Sequence, residues 1–218
     1  MRNIASILVI LLYVSCSSEQ TEKESIHVVS HDFLRDFPAY TPDSLVNIVI
    51  EIPAGCNQKW EVNKETGFLE WESVNEDSLR VVRYLPYPAN YGMIPQTWLP
   101  EKEGGDNDPL DVFLLGKSIE RGNVIPSRII GVIKMLDKGQ QDDKLIAVPV
   151  DDWHYDIYTL EELDESYPGV IEILSAWLVN YKGPGIVELL GVSDESAATE
   201  ILQKSVRSFQ NSNGQIVK

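Results

Sequence analysis

The sequence predicts a mainly β domain with helices packed on it, an α+β chain in which the strands come first. Three observations carry this. Short runs rich in β-branched and aromatic residues, separated by Gly and Pro, fill the chain from residue 46 to 150. Apolar residues at helical spacing are confined to the part after residue 158. The 218 residues, 43% of them hydrophobic, suffice for one domain with a substantial core but not for two generous ones.

The strands are expected in order. Val46–Ile52 is a β-branched run stopped by Pro53. Trp60–Val62 is a short strand, Gly67 a turn, and Phe68–Trp71 extends again. Leu79–Leu85, Asp111–Leu115, Arg128–Met135 and Leu145–Val150 complete the set, with Gly116 and Gly122 as breaks. Such short strands fit a closed or nearly closed antiparallel barrel. Thr159-Leu160-Glu161-Glu162 has the pattern of a capping box. From Pro168, the residues Ile171, Leu174, Leu178 and Tyr181 recur at helical spacing. A last helix begins near Ser193, with Asp194 and Glu195 in its first turn and a stripe of Ala198, Ile201, Leu202, Val206 and Phe209. These stripes read as core.

The net charge is −16, from 34 acidic and 18 basic residues. That excludes the basic footprint expected of a nucleic-acid binder. Acidity of this size means either a solvated surface or carboxylates clustered around hard cations, and only spacing separates the two.

The first residues have the anatomy of a signal peptide: Arg2, then a mostly apolar Ile4–Val14 too short to span a bilayer comfortably. Leu12-Tyr13-Val14-Ser15-Cys16 resembles a bacterial lipoprotein cleavage site, although Tyr13 departs from the usual Leu. The expectation is a signal peptide at 1–16, lipidation of Cys16, a flexible tether over 17–30 and one domain over 31–218. The protein would then be exported, facing the periplasm or cell exterior, with its lipid anchor as the only membrane contact. Lipidation of Cys16 would leave Cys56 as the only thiol and rule out an intramolecular disulfide. His27, His31 and His154 are scattered and suggest no zinc site.

Asp106-Asn107-Asp108-Pro109-Leu110-Asp111-Val112 is the most informative stretch. In an extended segment Asp106 and Asp108 share a face, and a bend at Pro109 would bring Asp111 back to them. Three crowded carboxylates are costly unless a cation compensates them, and oxygen ligands suit Mg²⁺ or Mn²⁺. A Ca²⁺ loop of the EF-hand type fails, because Leu110, Asp111 and Lys117 stand where a ligand, Gly and Glu are required. Spacing alone leaves an acidic surface loop as an equal reading.

The stretch Asp-Asn-Asp-Pro-Leu-Asp-Val resembles the signature of family I soluble inorganic pyrophosphatases. Further segments follow in that family's order: Ile48–Ala54 with Lys59-Trp60-Glu61, Tyr87 with Asn90-Tyr91-Gly92, Gly131–Asp137 with Asp142-Asp143-Lys144, and Tyr181-Lys182. The resemblance implies a five-stranded closed antiparallel barrel of OB-like type with two or more helices. It implies Mg²⁺-dependent hydrolysis of pyrophosphate, with several ions bound and Mn²⁺ or other divalent ions as substitutes.

By the same resemblance, Asp106, Asp111 and Asp142 are ligands of the tightest metal, with Asp111 shared with a second. Asp137 and Glu51 are ligands for metals arriving with substrate. Asp108 is the base, Tyr87 lies near it, and Glu61 supports the site. Lys59, Lys144, Lys182, Tyr91 and Tyr181 are phosphate-binding. The family's arginine is Arg80 or Arg83; three residues apart on one strand, they would point to opposite faces, and Arg80 fits the spacing to Tyr87 better. A homo-oligomer is expected. Two other readings remain, a broader polyphosphate or nucleotide phosphohydrolase and a non-catalytic metal-binding lipoprotein. The first would need a binding region for the rest of its substrate, for which no motif is found.

Overall fold

A computed structural model describes residues 27–28, 31–75, 78–150, 156–214 and 216. The signal segment, Cys16, most of the expected tether and His154 lie outside the described residues. Among the described residues, the strands are β1 (His27–Val28), β2 (Val46–Ile52), β3 (Trp60–Val62), β4 (Leu69–Trp71), β5 (Ser73–Asn75), β6 (Ser78–Leu79), β7 (Asn90–Met93), β8 (Asp111–Leu114), β9 (Val124–Asp137), β10 (Gln140–Gln141), β11 (Lys144–Pro149) and β12 (Val187–Asp194). The helices are α1 (Leu160–Ser166), α2 (Val170–Asn180) and α3 (Glu195–Asn211), with a 3₁₀ turn at Glu101–Glu103. The fold is mainly β with a few helices.

The main sheet runs β10-β9-β11-β8-β7-β2, and β2 also pairs with the start of β9, so the pairings that leave β9 through β11 lead back to it. Five strands take part in that circuit: β2, β7, β8, β11 and β9. The expectation of a wholly antiparallel sheet is corrected, because β8 and β11 run parallel. The reason is topological: strand directions cannot alternate all the way around an odd circuit, so at least one contact must be parallel. β9 is the longest of these strands and pairs with four others, β2, β10, β11 and β12, the last lying along its second half.

Burial explains why these segments extend. Every residue of β2 and of β11 is buried, as expected of strands covered on both faces. Two apolar clusters result: one holds Val49, Phe113, Ile133 and Trp177 with α1 and α2, the other holds Ile48, Val112, Leu145 and Leu202 beneath α3.

The helix signals hold. Thr159 caps α1 by accepting from Glu162 N at 3.1 Å, while the Glu162 carboxylate reaches back to Tyr158 N at 2.6 Å. Asp194 caps α3 by accepting from Ala197 N at 3.0 Å. Ala198, Leu202 and Phe209 of the expected stripe are buried, while Ile201 and Val206 are half-buried. In α2, Trp177 joins Leu174 and Leu178 in the core.

Three expectations change. Leu79–Leu85 is no continuous strand: only Ser78–Leu79 pairs as one, Val81 makes an isolated bridge to Gln58, and the chain bends at 83–85. His27 and Val28, inside the expected tether, pair with Glu70 and Leu69. The strand β7 carries Asn and Gly and so lacked a β signal. Its glycine is required by proximity, since a Cβ at Gly92 would lie 1.8 Å from the Val49 carbonyl oxygen. The Gly92→Ala variant is accordingly expected to lose about 2 kcal/mol or more of stability, measured by denaturant unfolding.

Candidate active site

The site is built where β8 and β11 lie side by side. Their parallel register sets Lys144 opposite Asp111. Lys144 is 2% exposed, and its ammonium is held by the carboxylates of Asp111 and Asp142. A buried lysine survives only with such partners, and here they hold its pKa well above the ordinary value despite the burial that would lower it. The same ammonium draws the Asp142 pKa down against its own desolvation. Asp143, the next residue, is structural: it accepts from Met135 N at 3.1 Å and Gln141 Nε2 at 2.8 Å.

Asp106 joins this group. It lines a cavity of about 20 Å³ together with Asp111 and Asp142. Burial first, then the charges of Asp111 and Asp142, push its pKa up to about 7. Asp108 does not share that cavity; its carboxylate pairs with Lys64. The expectation that Asp106 and Asp108 share one face is therefore corrected. Asn107 between them takes a left-handed φ of 67°, and Asp108 N donates to Asp106 Oδ1 at 3.0 Å, so the loop turns instead of extending. Lys64 carried no signal in the sequence beyond being a lysine three residues past Glu61.

Glu51 is buried in β2, 4% exposed, and accepts from Val62 N at 2.7 Å. Burial first, then Asp111 and Glu61, raise its pKa to about 8, against the opposing pull of Lys59. Lys59 lies 3.3 Å from exposed Glu61, and its pKa is held up by Tyr87, Glu51, Glu61 and Asp111 against desolvation. Arg121, missed in the sequence, ties this corner together. Its Nε donates to the Glu51 carbonyl at 2.8 Å, and its guanidinium lies 4.2 Å from the Trp60 ring centroid, between Lys59 and Glu61 in sequence.

Aromatic rings connect this corner to the far side. Tyr91 packs at 5.2 Å on Tyr87, Tyr87 at 4.4 Å on Trp177, and Trp177 stacks at 4.4 Å on Tyr181. Lys59 and Lys144 lie 5.8 and 5.9 Å from the Tyr91 centroid. Burial lifts the Tyr87 and Tyr91 hydroxyl pKa values above the ordinary range. Trp177 Nε1 donates to Leu85 O at 2.9 Å and thus pins α2 to the bend.

At the far side Lys182 pairs with Asp137, whose other oxygen, Oδ1, is buried without a hydrogen-bond partner. Arg80 makes two 2.7 Å bonds to Glu72. Arg80 and Arg83 border the same cavity with Asp137, Tyr181 and Lys182, so the opposite-face expectation is corrected: alternation needs a continuous strand, and the chain bends here.

Among the described residues no group of three or more His, Cys, Asp or Glu stands ready as an ion cage. The donors nonetheless suit a hard cation. They are all carboxylate oxygens, Asp106, Asp111 and Asp142 border one small cavity, and Asp137 keeps a buried oxygen unused.

Comparison with known proteins agrees with this geometry. The family model described as inorganic pyrophosphatase matches residues 48–210. An inorganic pyrophosphatase of Campylobacter jejuni is 34% identical over 76% of this chain and 92% of its own length. The human inorganic pyrophosphatase is 34% identical over 68% of this chain and 56% of its own length. The chain spans 65% of the length of a chloroplastic relative from Arabidopsis thaliana. The solved structure of the Schistosoma japonicum inorganic pyrophosphatase superposes with a TM-score of 0.76 at 28% identity, covering 82% of this chain and 71% of that one.

The raised Glu51 pKa has a consequence for stability. An acid with a folded pKa above its unfolded value stabilises fully below the unfolded pKa and loses that contribution as pH rises through the folded one. In the chelator-treated protein, the Glu51 contribution should therefore fall between about pH 4.5 and about pH 8. Thermal unfolding across that range should show a flatter decline for Glu51→Gln than for the native chain.

Proposed function

The chain belongs to the family I soluble inorganic pyrophosphatases, and on that premise we propose that it hydrolyses pyrophosphate with water to two phosphates. The observation that carries this is the Lys144 ammonium held between Asp111 and Asp142, with Asp106 on the same cavity. The family is divalent-metal dependent, and in this reading Asp106, Asp111 and Asp142 would hold Mg²⁺ first, with Glu51 and Asp137 as further ligands. Bound Mg²⁺ would neutralise substrate charge and acidify water.

The remaining steps belong to the chain's own residues. Asp108 accepts the proton of the attacking water, and Lys64 holds Asp108 in place. Lys59, Lys144, Lys182 and Arg80 offset the charge of the phosphates, and the hydroxyls of Tyr87, Tyr91 and Tyr181 are hydrogen-bond donors to their oxygens. Glu61 steadies Lys59.

The circuit β2-β7-β8-β11-β9 supports reading the sheet as a five-stranded closed barrel of OB-like type with one parallel contact. Exposed Leu189, Leu190 and Val192 on β12 favour a homo-oligomer. Export and lipidation at Cys16 rest on the leader-like residues 1–16.

A phosphate-release assay tests the activity. Native protein with Mg²⁺ should release two phosphates per pyrophosphate, and chelation should abolish release. The Asp108→Asn variant should lower kcat by about 10²-fold or more; native-like turnover in that variant would sink its role as base. For the anchor, Cys16→Ser should move the protein from the membrane to the soluble fraction of the producing cells.

A further inference from the structure

The cavity at the far side is larger than one phosphate needs. It measures about 570 Å³ and is bordered by four cationic residues, Arg80, Arg83, Lys138 and Lys182, against one carboxylate, Asp137. In a chain of net charge −16, that is a local reversal of sign. Two of the four are already engaged, Arg80 by Glu72 and Lys182 by Asp137. Arg83 and Lys138 are exposed, and among the described residues neither side chain has an ion-pair or hydrogen-bond partner.

Lys138 is not a casual surface lysine. With Gly139 it forms the two-residue turn between β9 and β10, and Asp137 pairs with Gln140 across it. Both turn residues have positive φ, 52° for Lys138 and 85° for Gly139. Such a turn favours Gly, Asn or Asp at the first position, because Gly lacks a Cβ and the short polar side chains hydrogen-bond locally, which a lysine cannot do. Lys138 N donates to Ile186 O at 3.0 Å, which fixes the turn against the segment before β12. A residue that resists this conformation is thus held in it, at a cavity that already collects cations.

We propose that Arg83 and Lys138 form an outer anion subsite that takes the third phosphate of a linear inorganic triphosphate, whose other two phosphates lie over Lys182 and the metal-ligand carboxylates. The proposal rests on the pyrophosphatase reading for the inner two positions. It supplies the extra binding region for which no sequence motif exists. Arg83 contributes a planar fork suited to phosphate oxygens and Lys138 a point charge. An inorganic chain is favoured over a nucleotide because the aromatic side chain at the cavity, Tyr181, is already stacked on Trp177.

The test is calorimetric titration of the full chain with inorganic triphosphate, with pyrophosphate and with ATP, with Ca²⁺ in place of Mg²⁺ so that the carboxylates are charge-compensated while cleavage is slowed. The native chain is compared with Arg83→Gln/Lys138→Asn; Asn tolerates the left-handed turn and removes only the charge. The Kd for triphosphate should rise about tenfold or more in the double variant, and by at least about fivefold more than the Kd for pyrophosphate. Equal losses for the two ligands, no loss, or no binding of triphosphate by the native chain would overturn the subsite. Tighter binding of ATP than of triphosphate would overturn the assignment to an inorganic chain. If the selective loss is seen while Mg²⁺-loaded native protein fails to cleave pyrophosphate, the subsite stands and the functional reading falls.

Discussion

The structure depends on one buried cation. Lys144 sits where β8 and β11 meet, and its ammonium holds Asp111 and Asp142 together in a region that burial makes hostile to charge. Without it, Asp106, Asp111 and Asp142 would crowd one small cavity uncompensated. The parallel contact between β8 and β11 is what brings Lys144 opposite Asp111. Topology and electrostatics therefore meet at the same pair of residues.

Around this pair the chain spends its polar groups in two ways. Some hold loops: Asn90, fully buried, accepts from Ala54 N and Ile119 N and donates to Leu114 O and Lys117 O. Asp143 likewise satisfies backbone and Gln141. Others remain strained or unspent: Glu51 and Asp106 with raised pKa values, and Asp137 with a buried oxygen lacking a partner. Carboxylates whose pKa values are raised by burial and by one another, with a further buried oxygen left unused, are groups that a cation would stabilise.

The aromatic column Tyr91, Tyr87, Trp177 and Tyr181 gives the two halves of the site a common wall. It runs from the Lys59 and Lys144 corner to Lys182 and Asp137, and Trp177 fastens it to the bend through Leu85. Trp177 belongs to the core by burial, yet it packs between Tyr87 and Tyr181 and sets their spacing. Arg121 plays the equivalent part at the other corner, where it joins the Glu51 backbone to the Trp60 ring.

Much of this was legible in the chain itself. Periodicity and β-branched runs located β2, β3, β4, β8, much of β9, β11 and all three α-helices, because Val46–Ile52 or the stripe of α3 must hide one face or both from water whatever their neighbours are. The ordered motifs singled out Asp106, Asp111, Asp142 and Lys144, which the structure brings together. What they could not convey was direction and company. Asp108 leaves the cluster for Lys64 because Asn107 turns the loop; Arg80 and Arg83 share a cavity because the chain bends after Val82; β7 extends because Gly92 lets it approach Val49. Each of these depends on a single backbone angle or a contact between distant segments, neither of which leaves a periodic trace. The order of residues is enough to say which are apolar, which are charged and where the chain can turn. Which charges face one another is settled in three dimensions, by register and pairing between strands far apart in the chain.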